Sequence, residues 1–187
     1  MKKQFWLMPL LTLIFFAGGF ASRLDAQAFE VGAQLAIHDV PALGETLVGY
    51  GFRFTDNLYR PFLAFDSEIN FFPTGSTGNL GETQAFFGLR AGAHVGRWGV
   101  YAKLRPGLTN FGGGGFPQRL SSGTQFALDI GGVLEYDVLP HIALRWDLSD
   151  VLSDFGGASL SAGPGLVHTP LGTQHNFEST IGAVVRF

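Results

Sequence analysis

The stretch FESTIGAVVRF, residues Phe177–Phe187, decides the fold of this chain. Every second residue back from its end is apolar except for one serine: Phe187, Val185, Ala183, Ile181, Ser179 and Phe177. The residues between them are small, polar or charged, from Arg186 back to Glu178. Successive side chains of a strand point to opposite faces. The stretch therefore predicts a strand with one apolar face and one polar face.

The same alternation recurs in seven earlier segments. They span residues 29–37, 48–54, 61–71, 85–95, 100–108, 126–136 and 142–151. Together with the last segment they predict eight strands of about 8 to 12 residues each, all antiparallel if they pair in sequence. We find no pattern for a helix, a second domain or an internal repeat after residue 28.

The connections between these strands alternate in length. Short ones lie near Asp56-Asn57, at 96–99 and at 137–141, whereas the others are longer and rich in Gly, Ser, Thr and Pro. The two longest predicted loops cover residues 109–122 and 153–176. Short turns at one end and long loops at the other are typical of an outer-membrane β-barrel.

The polar face of the predicted strands is crowded with Gly and Ala and carries spaced charges. Seven acids and six bases lie on it: Glu30, Asp66, Glu68, Asp129, Glu135, Asp147 and Glu178, with Arg53, Arg90, Lys103, Arg105, Arg145 and Arg186. The interior of an eight-stranded barrel is just wide enough for side chains to fill it. Charges buried there must pair, because an unpaired buried charge is costly. We therefore predict a polar, plugged lumen held by a structural ion-pair network of these thirteen residues.

The apolar face carries almost no charge and many aromatic residues. Those at or near the short-turn ends are Phe54, Tyr59, Trp98, Tyr136 and Phe187, as expected for an aromatic girdle at a membrane interface. Lipid does not tolerate unpaired backbone, so the last strand should close on the first. The prediction is an all-β, eight-stranded, antiparallel, up-and-down transmembrane β-barrel over residues 29–187. The alternative is a secreted β-sandwich, whose polar face would usually be richer in Lys, Glu, Ser and Thr.

The first 28 residues have the three parts of a secretory signal peptide. Lys2 and Lys3 precede an apolar run at 5–17, and Ala26-Gln27-Ala28 offers cleavage after Ala26 or Ala28. The run is shorter than the roughly 20 residues of a membrane-spanning helix, although an uncleaved anchor is the alternative. The chain has no cysteine, so neither a disulfide framework nor lipidation after the signal is expected. The net charge of −3 offers no basic excess for nucleic acid.

The hairpin IGGVLEYDVLPHIALRWDLSD, residues 130–150, carries a family resemblance. Its matching elements are Gly131-Gly132-Val133, Glu135-Tyr136, Pro140, Ile142-Ala143, and then Arg145 and Asp147. It resembles the late hairpin of the OmpA/OmpX-type small barrels, the outer membrane protein beta-barrel domain family. Unlike many OmpA-type chains, this one has no segment for a peptidoglycan-binding domain after the barrel, so tethering to the wall is not implied.

The resemblance implies a location and partners. The location is a Gram-negative-type outer membrane, and the partners are outer-membrane lipids and the barrel-insertion machinery. In this family the aromatic last residue, here Phe187, is the membrane-insertion signal. A monomer is expected, and the sequence does not name an extracellular partner.

No set of residues predicts catalysis, a cofactor or a metal. The five histidines, at 38, 94, 141, 168 and 175, lack the tight spacing of metal ligands. Asp66 and Glu68 share a face and could act as acid and base, but nearby arginines favour a structural role. The run Gly112–Gly115 lacks the Lys-Ser/Thr that completes a phosphate loop.

Three functional hypotheses follow. The favoured one is an integral outer-membrane barrel without catalytic activity, with a structural or surface-contact role through its long loops. A second is a narrow passive pore for ions or small solutes. The third is a lipid-modifying enzyme, which would need adjacent Ser and His on a membrane-facing strand, and no such pair is evident.

Overall fold

The computed structural model describes residues 29–59, 62–75, 81–112, 123–154, 159–160, 169–170 and 172–187. The strands in these ranges are β1 (Phe29–Val40), β2 (Glu45–Tyr59), β3 (Leu63–Gly75), β4 (Gly81–Val95), β5 (Trp98–Gly112), β6 (Thr124–Leu139), β7 (Ile142–Asp154), β8 (Ser159–Leu160), β9 (Thr169–Pro170) and β10 (Thr173–Arg186). None of the described ranges contains a helix with the length and apolarity to cross a membrane. Residues 1–28, including the predicted signal peptide, lie outside the described ranges.

The eight long strands form one closed antiparallel barrel in sequence order. β10 pairs with β7 on one side and with β1 on the other, so the sheet has no free edge. At the seam Phe187 N–H donates to Phe29 O over 2.9 Å. This confirms the predicted up-and-down barrel. The short strands β8 and β9 form a separate two-stranded sheet.

The barrel strands are longer than the sequence predicted. They contain 12 to 16 residues, and β5, β7 and β10 extend into the stretches predicted as loops at 109–122 and 153–176. The extra residues are rich in Thr, Asn, Ser and Gly, which carry no apolar alternation. Their backbone groups still continue the antiparallel hydrogen-bond ladder of their neighbours, so the strand persists after the sequence pattern fades.

A β-bulge and a tight turn are each occupied by a residue that favours that backbone geometry. In the β2–β3 pairing, Val48 lies opposite Thr74 and Tyr50 opposite Phe71, so two residues of β3 face Gly49. Pro73 lies in this bulge, where its missing N–H costs no regular ladder bond. Gly96 (φ 63°) is in the two-residue turn between β4 and β5, a position that favours glycine.

The outer wall of the barrel is apolar. Residues that alternate with the buried ones are exposed, such as Leu35 (65%), Phe87 (57%) and Ile181 (60%). Aromatic pairs lie at both ends of this belt: Trp98–Tyr136 (ring centroids 4.7 Å apart) at the short-turn end and Tyr50–Phe71 (5.8 Å) at the other. The side chain of Tyr59, predicted for the girdle, lies outside the described part of the chain.

Candidate functional site

The inner wall of the barrel holds all thirteen residues of the predicted ion-pair network. Each is at most 9% exposed. They lie at alternate positions along their strands, so their side chains point into the lumen. They lie in three layers, of which the lower layer is nearest the short turns.

The lower layer is a closed ring of alternating charge. Arg90 pairs with Glu30 (Nη2 to Oε2, 2.9 Å) and with Glu135. Arg186 joins the same two acids from the other side, at 3.2 Å to Glu30 and 2.9 Å to Glu135. The four residues come from β4, β1, β6 and β10, so the ring crosses the barrel and its formal charge is zero. The Tyr101 ring lies 4.7 Å from the Arg90 guanidinium carbon.

The middle layer contains four acids and four bases, so its formal charge is also zero. Its members are Asp66, Glu68, Asp129 and Asp147, with Arg53, Lys103, Arg105 and Arg145. Arg145 contacts both oxygens of Asp66, at 3.0 and 2.9 Å, and its Nε donates to Asp147 at 2.8 Å. Such a bidentate guanidinium–carboxylate pair is among the stronger polar contacts in proteins.

The other three bases of the middle layer extend its contacts around the lumen. Arg105 contacts Asp66 at 2.8 Å and Glu68 at 3.1 Å, and it also pairs with Asp129. Lys103 Nζ lies 3.2 Å from both Asp129 and Asp147. Arg53 contacts Asp147 at 2.9 Å. Asp66 and Glu68 are therefore held by guanidinium groups, an arrangement that suits structural anions better than an acid/base pair.

Glu178, the seventh acid, lies apart from this network in an upper layer near the long connections. Its Oε2 is 3.1 Å from Nδ1 of His38, whose Nε2 is 3.7 Å from Oε2 of Glu82. The sequence analysis missed Glu82, because it lies in a stretch assigned to a loop. Counting back in steps of two from Arg90 along β4 would have placed Glu82 on the inner face.

The outer end of the lumen holds an apolar cluster beside buried polar side chains such as Ser153 and Asn176, and the prediction of a polar lumen did not include this cluster. A buried cluster consists of Ala36, Val40, Leu47, Phe72 and Phe111. Leu43, in the turn between β1 and β2, packs against it. We call this group the outer apolar cluster. The alternation pattern did not assign Val40, Leu47, Phe72 and Phe111 to either face, since these strand ends were predicted as loops.

Two histidines outside the upper layer, His94 and His175, each pair with one carboxylate. In the described ranges no group of His, Asp and Glu has an arrangement that could hold a metal ion. His94 pairs with Asp137 at 3.1 Å near the short-turn end. His175 pairs with Asp150 at 2.6 Å on the outer wall. His168 lies outside the described ranges, as does most of the glycine run at 112–115.

The comparisons with known proteins concern the fold. The crystal structure of Neisserial surface protein A (NspA) is similar, with a TM-score of 0.56 and 17% identity over 87% of this chain and 99% of that one. Ail, the attachment invasion locus protein of Yersinia pestis, gives a TM-score of 0.47 and 11% identity over 88% of this chain and 100% of that one. No family model matches the chain, and no curated protein matches it. At this identity the likeness to NspA shows a shared fold.

Proposed function

We propose that this chain is an integral outer-membrane barrel without catalytic activity, with a closed lumen and a surface-contact role through its long connections. The observation that carries the proposal is the distribution of its side chains. Charges fill the inside in two neutral layers, and large apolar side chains cover the outside. A soluble protein rarely exposes so continuous an apolar surface.

The dimensions of the barrel agree with a membrane-spanning role. A strand of 13 residues, such as β7, extends about 43 Å at roughly 3.3 Å per residue. With a strand tilt of about 40° it covers about 33 Å along the barrel axis. This exceeds the apolar band of about 25 Å in outer-membrane barrels, so the strands cross the bilayer and project beyond it.

The contents of the lumen favour a barrier over the alternative of a narrow passive pore. Any permeating ion must pass the guanidinium groups of Arg90 and Arg145, which lie in side-chain layers that are almost fully buried. It must then pass the outer apolar cluster. An ion that leaves water for such a region loses its hydration without a replacement.

We therefore expect the folded protein to be silent in a planar bilayer. The mature chain, refolded in detergent and shown by heat-dependent gel mobility to be folded, should give no discrete conductance steps in molar salt. A porin reconstituted in the same way is the positive control. Reproducible steps from the folded protein would contradict the closed lumen and favour the pore.

We propose that the signal peptide at 1–28 directs export and that the terminal aromatic residue directs insertion into the membrane. The Phe187 ring is 67% exposed and its backbone closes the barrel seam, so its side chain contributes little to packing. Its predicted role is recognition by the insertion machinery.

Replacing Phe187 with alanine should lower the amount of barrel at the cell surface and leave its stability unchanged. An epitope tag placed within residues 113–122 would report surface exposure on intact cells by antibody staining. We expect staining to fall several-fold for Phe187→Ala, while the refolded variant melts as the parent does. Val185→Ala, on the same face of β10, is the matched control and should keep its staining. Equal staining of both variants would remove Phe187 as the signal.

A further inference from the structure

The upper layer has an unbalanced charge. Glu82 and Glu178 are two carboxylates that face one imidazole, His38, and none of the three side chains has any exposed surface. In the part of the chain that the structure describes, no lysine or arginine lies within ion-pair distance of either carboxylate. If all three groups were ionised, a net negative charge would be buried, which is costly.

The upper layer has more hydrogen-bond acceptors than donors. Its buried atoms without a hydrogen-bond partner within the described residues are both ring nitrogens of His38 and four acceptor oxygens: Glu82 Oε2, Glu178 Oε2, Gln34 Oε1 and Gln84 Oε1. The amide donors nearby already have acceptors. Gln84 donates to Glu82 Oε1 at 3.0 Å, and Gln34 donates to Asn70 at 2.6 Å. Buried acceptors of this kind normally receive hydrogen bonds. A group of them without enough donors therefore indicates that protons are bound to some of these side chains.

We propose that His38, Glu82 and Glu178 form a proton-binding site that holds two protons near neutral pH and keeps the outer end of the lumen closed. One proton makes the imidazole cationic, and the other occupies Glu82. Glu82 is assigned the second proton because its contact with the imidazole is the longer of the two, at 3.7 Å against 3.1 Å for Glu178. With this assignment all three buried layers are neutral.

The side chains packed around His38 determine which other groups could change charge in the upper layer. Glu178 faces it from β10 and Glu82 from β4. From β3 it meets the Phe72 ring, which has no charge. Asp39, its neighbour on β1, lies on the opposite face of the strand. Glu45 on β2 is also buried at the outer end but lies outside the three-residue site.

The site is joined to the outer apolar cluster by direct contact. The His38 and Phe72 rings are 5.7 Å apart, and Phe72 belongs to the cluster on which Leu43 packs. Loss of the protons to water leaves two carboxylates beside a neutral imidazole in a dry space. Hydration would relieve this repulsion, and water that entered from the outer mouth would loosen the packing of Leu43 on the cluster.

The first test is the pH dependence of stability. A glutamate in the unfolded chain releases its proton near pH 4.3, so above that pH the folded state binds more protons than the unfolded state. Stability must then fall as pH rises, and the unfolding equilibrium constant should increase about tenfold per pH unit for each extra proton held. Urea unfolding in detergent from pH 5 to 9 measures this slope.

Glu82→Gln imitates the protonated carboxyl. It should reduce the slope of stability against pH by the contribution of about one bound proton. Asp56→Asn removes a carboxylate from a half-buried position at the other end of the barrel and should keep the parent slope. An unchanged slope in Glu82→Gln would overturn the proposal, as would an equal loss of slope in both variants.

The second test observes the outer mouth and does not require Glu82→Gln to fold. The chain has no cysteine, so Leu43→Cys and Pro41→Cys each introduce a single thiol into the same turn. Leu43 is partly buried and Pro41 is exposed. Both introduced thiols ionise as the pH rises, so the ratio of their maleimide labelling rates removes this common effect. We expect this ratio to rise several-fold between pH 6 and pH 9. A constant ratio would show that the mouth does not respond to the protons.

Discussion

Replacing Arg145 with leucine is expected to destabilise the barrel by about 3 to 5 kcal/mol, the typical cost of removing one partner from a buried ion pair. Arg145 is 1% exposed and holds both oxygens of Asp66 together with Asp147. Leucine would fill part of the space but leave Asp66 with fewer donors in a dry interior. Urea unfolding of the refolded variants in detergent, followed by tryptophan fluorescence, measures the difference.

Two matched variants make this prediction specific. Arg97→Leu removes an arginine from the exposed turn between β4 and β5 and should change stability by less than about 0.5 kcal/mol. The double variant Arg145→Leu with Asp66→Asn should recover part of the loss, because it also removes the charge that lost its partner. A loss below 1 kcal/mol for Arg145→Leu, or no recovery in the double variant, would contradict the role of Arg145 as the centre of the middle layer.

The adjacent glycines of β6 should respond in opposite ways to the same substitution. Gly131 faces the lumen, where an added Cβ would lie 2.2 Å from the backbone oxygen of Leu148 and 2.6 Å from the Ser149 side chain. Gly132 faces outward, where the nearest atom to a Cβ is 3.8 Å away. A contact with backbone cannot be relieved by moving a flexible side chain.

We expect Gly131→Val to lower stability by at least about 3 kcal/mol or to prevent folding, because the inner wall is overpacked there. Gly132→Val should be neutral or stabilising by about 0.5 to 1 kcal/mol, since valine suits an extended backbone better than glycine. The fraction of heat-modifiable, folded barrel and its urea midpoint measure both variants side by side. Similar losses for the two would mean that the crowding of the inner wall does not explain the glycines.

The candidate site was predictable in part, because burial on a strand follows from position. On each strand the residues of the lower and middle layers are separated by an even number of positions. The alternation alone therefore assigned them to one face. The prediction did not extend this count to Glu82 or Phe72, because it ended each strand where the apolar residues of the outer wall stopped. It also gave no reason to group His38 with Glu178, which are 140 positions apart in the sequence.

The sequence by itself determined the number of strands, their antiparallel order, the closure of the last strand on the first, and which face of each strand is charged. The strand number, order and charged faces are local properties, since they depend on alternation within a strand and on the length of each connection. Closure follows instead from the intolerance of lipid for unpaired backbone. Only the tertiary structure decided which charges meet. Both partners of Arg90, and the Asp66 partner of Arg145, come from other strands, and their contacts depend on register and stagger in the closed sheet. The tertiary structure alone therefore showed two neutral layers, and above them a third layer with two carboxylates and one imidazole.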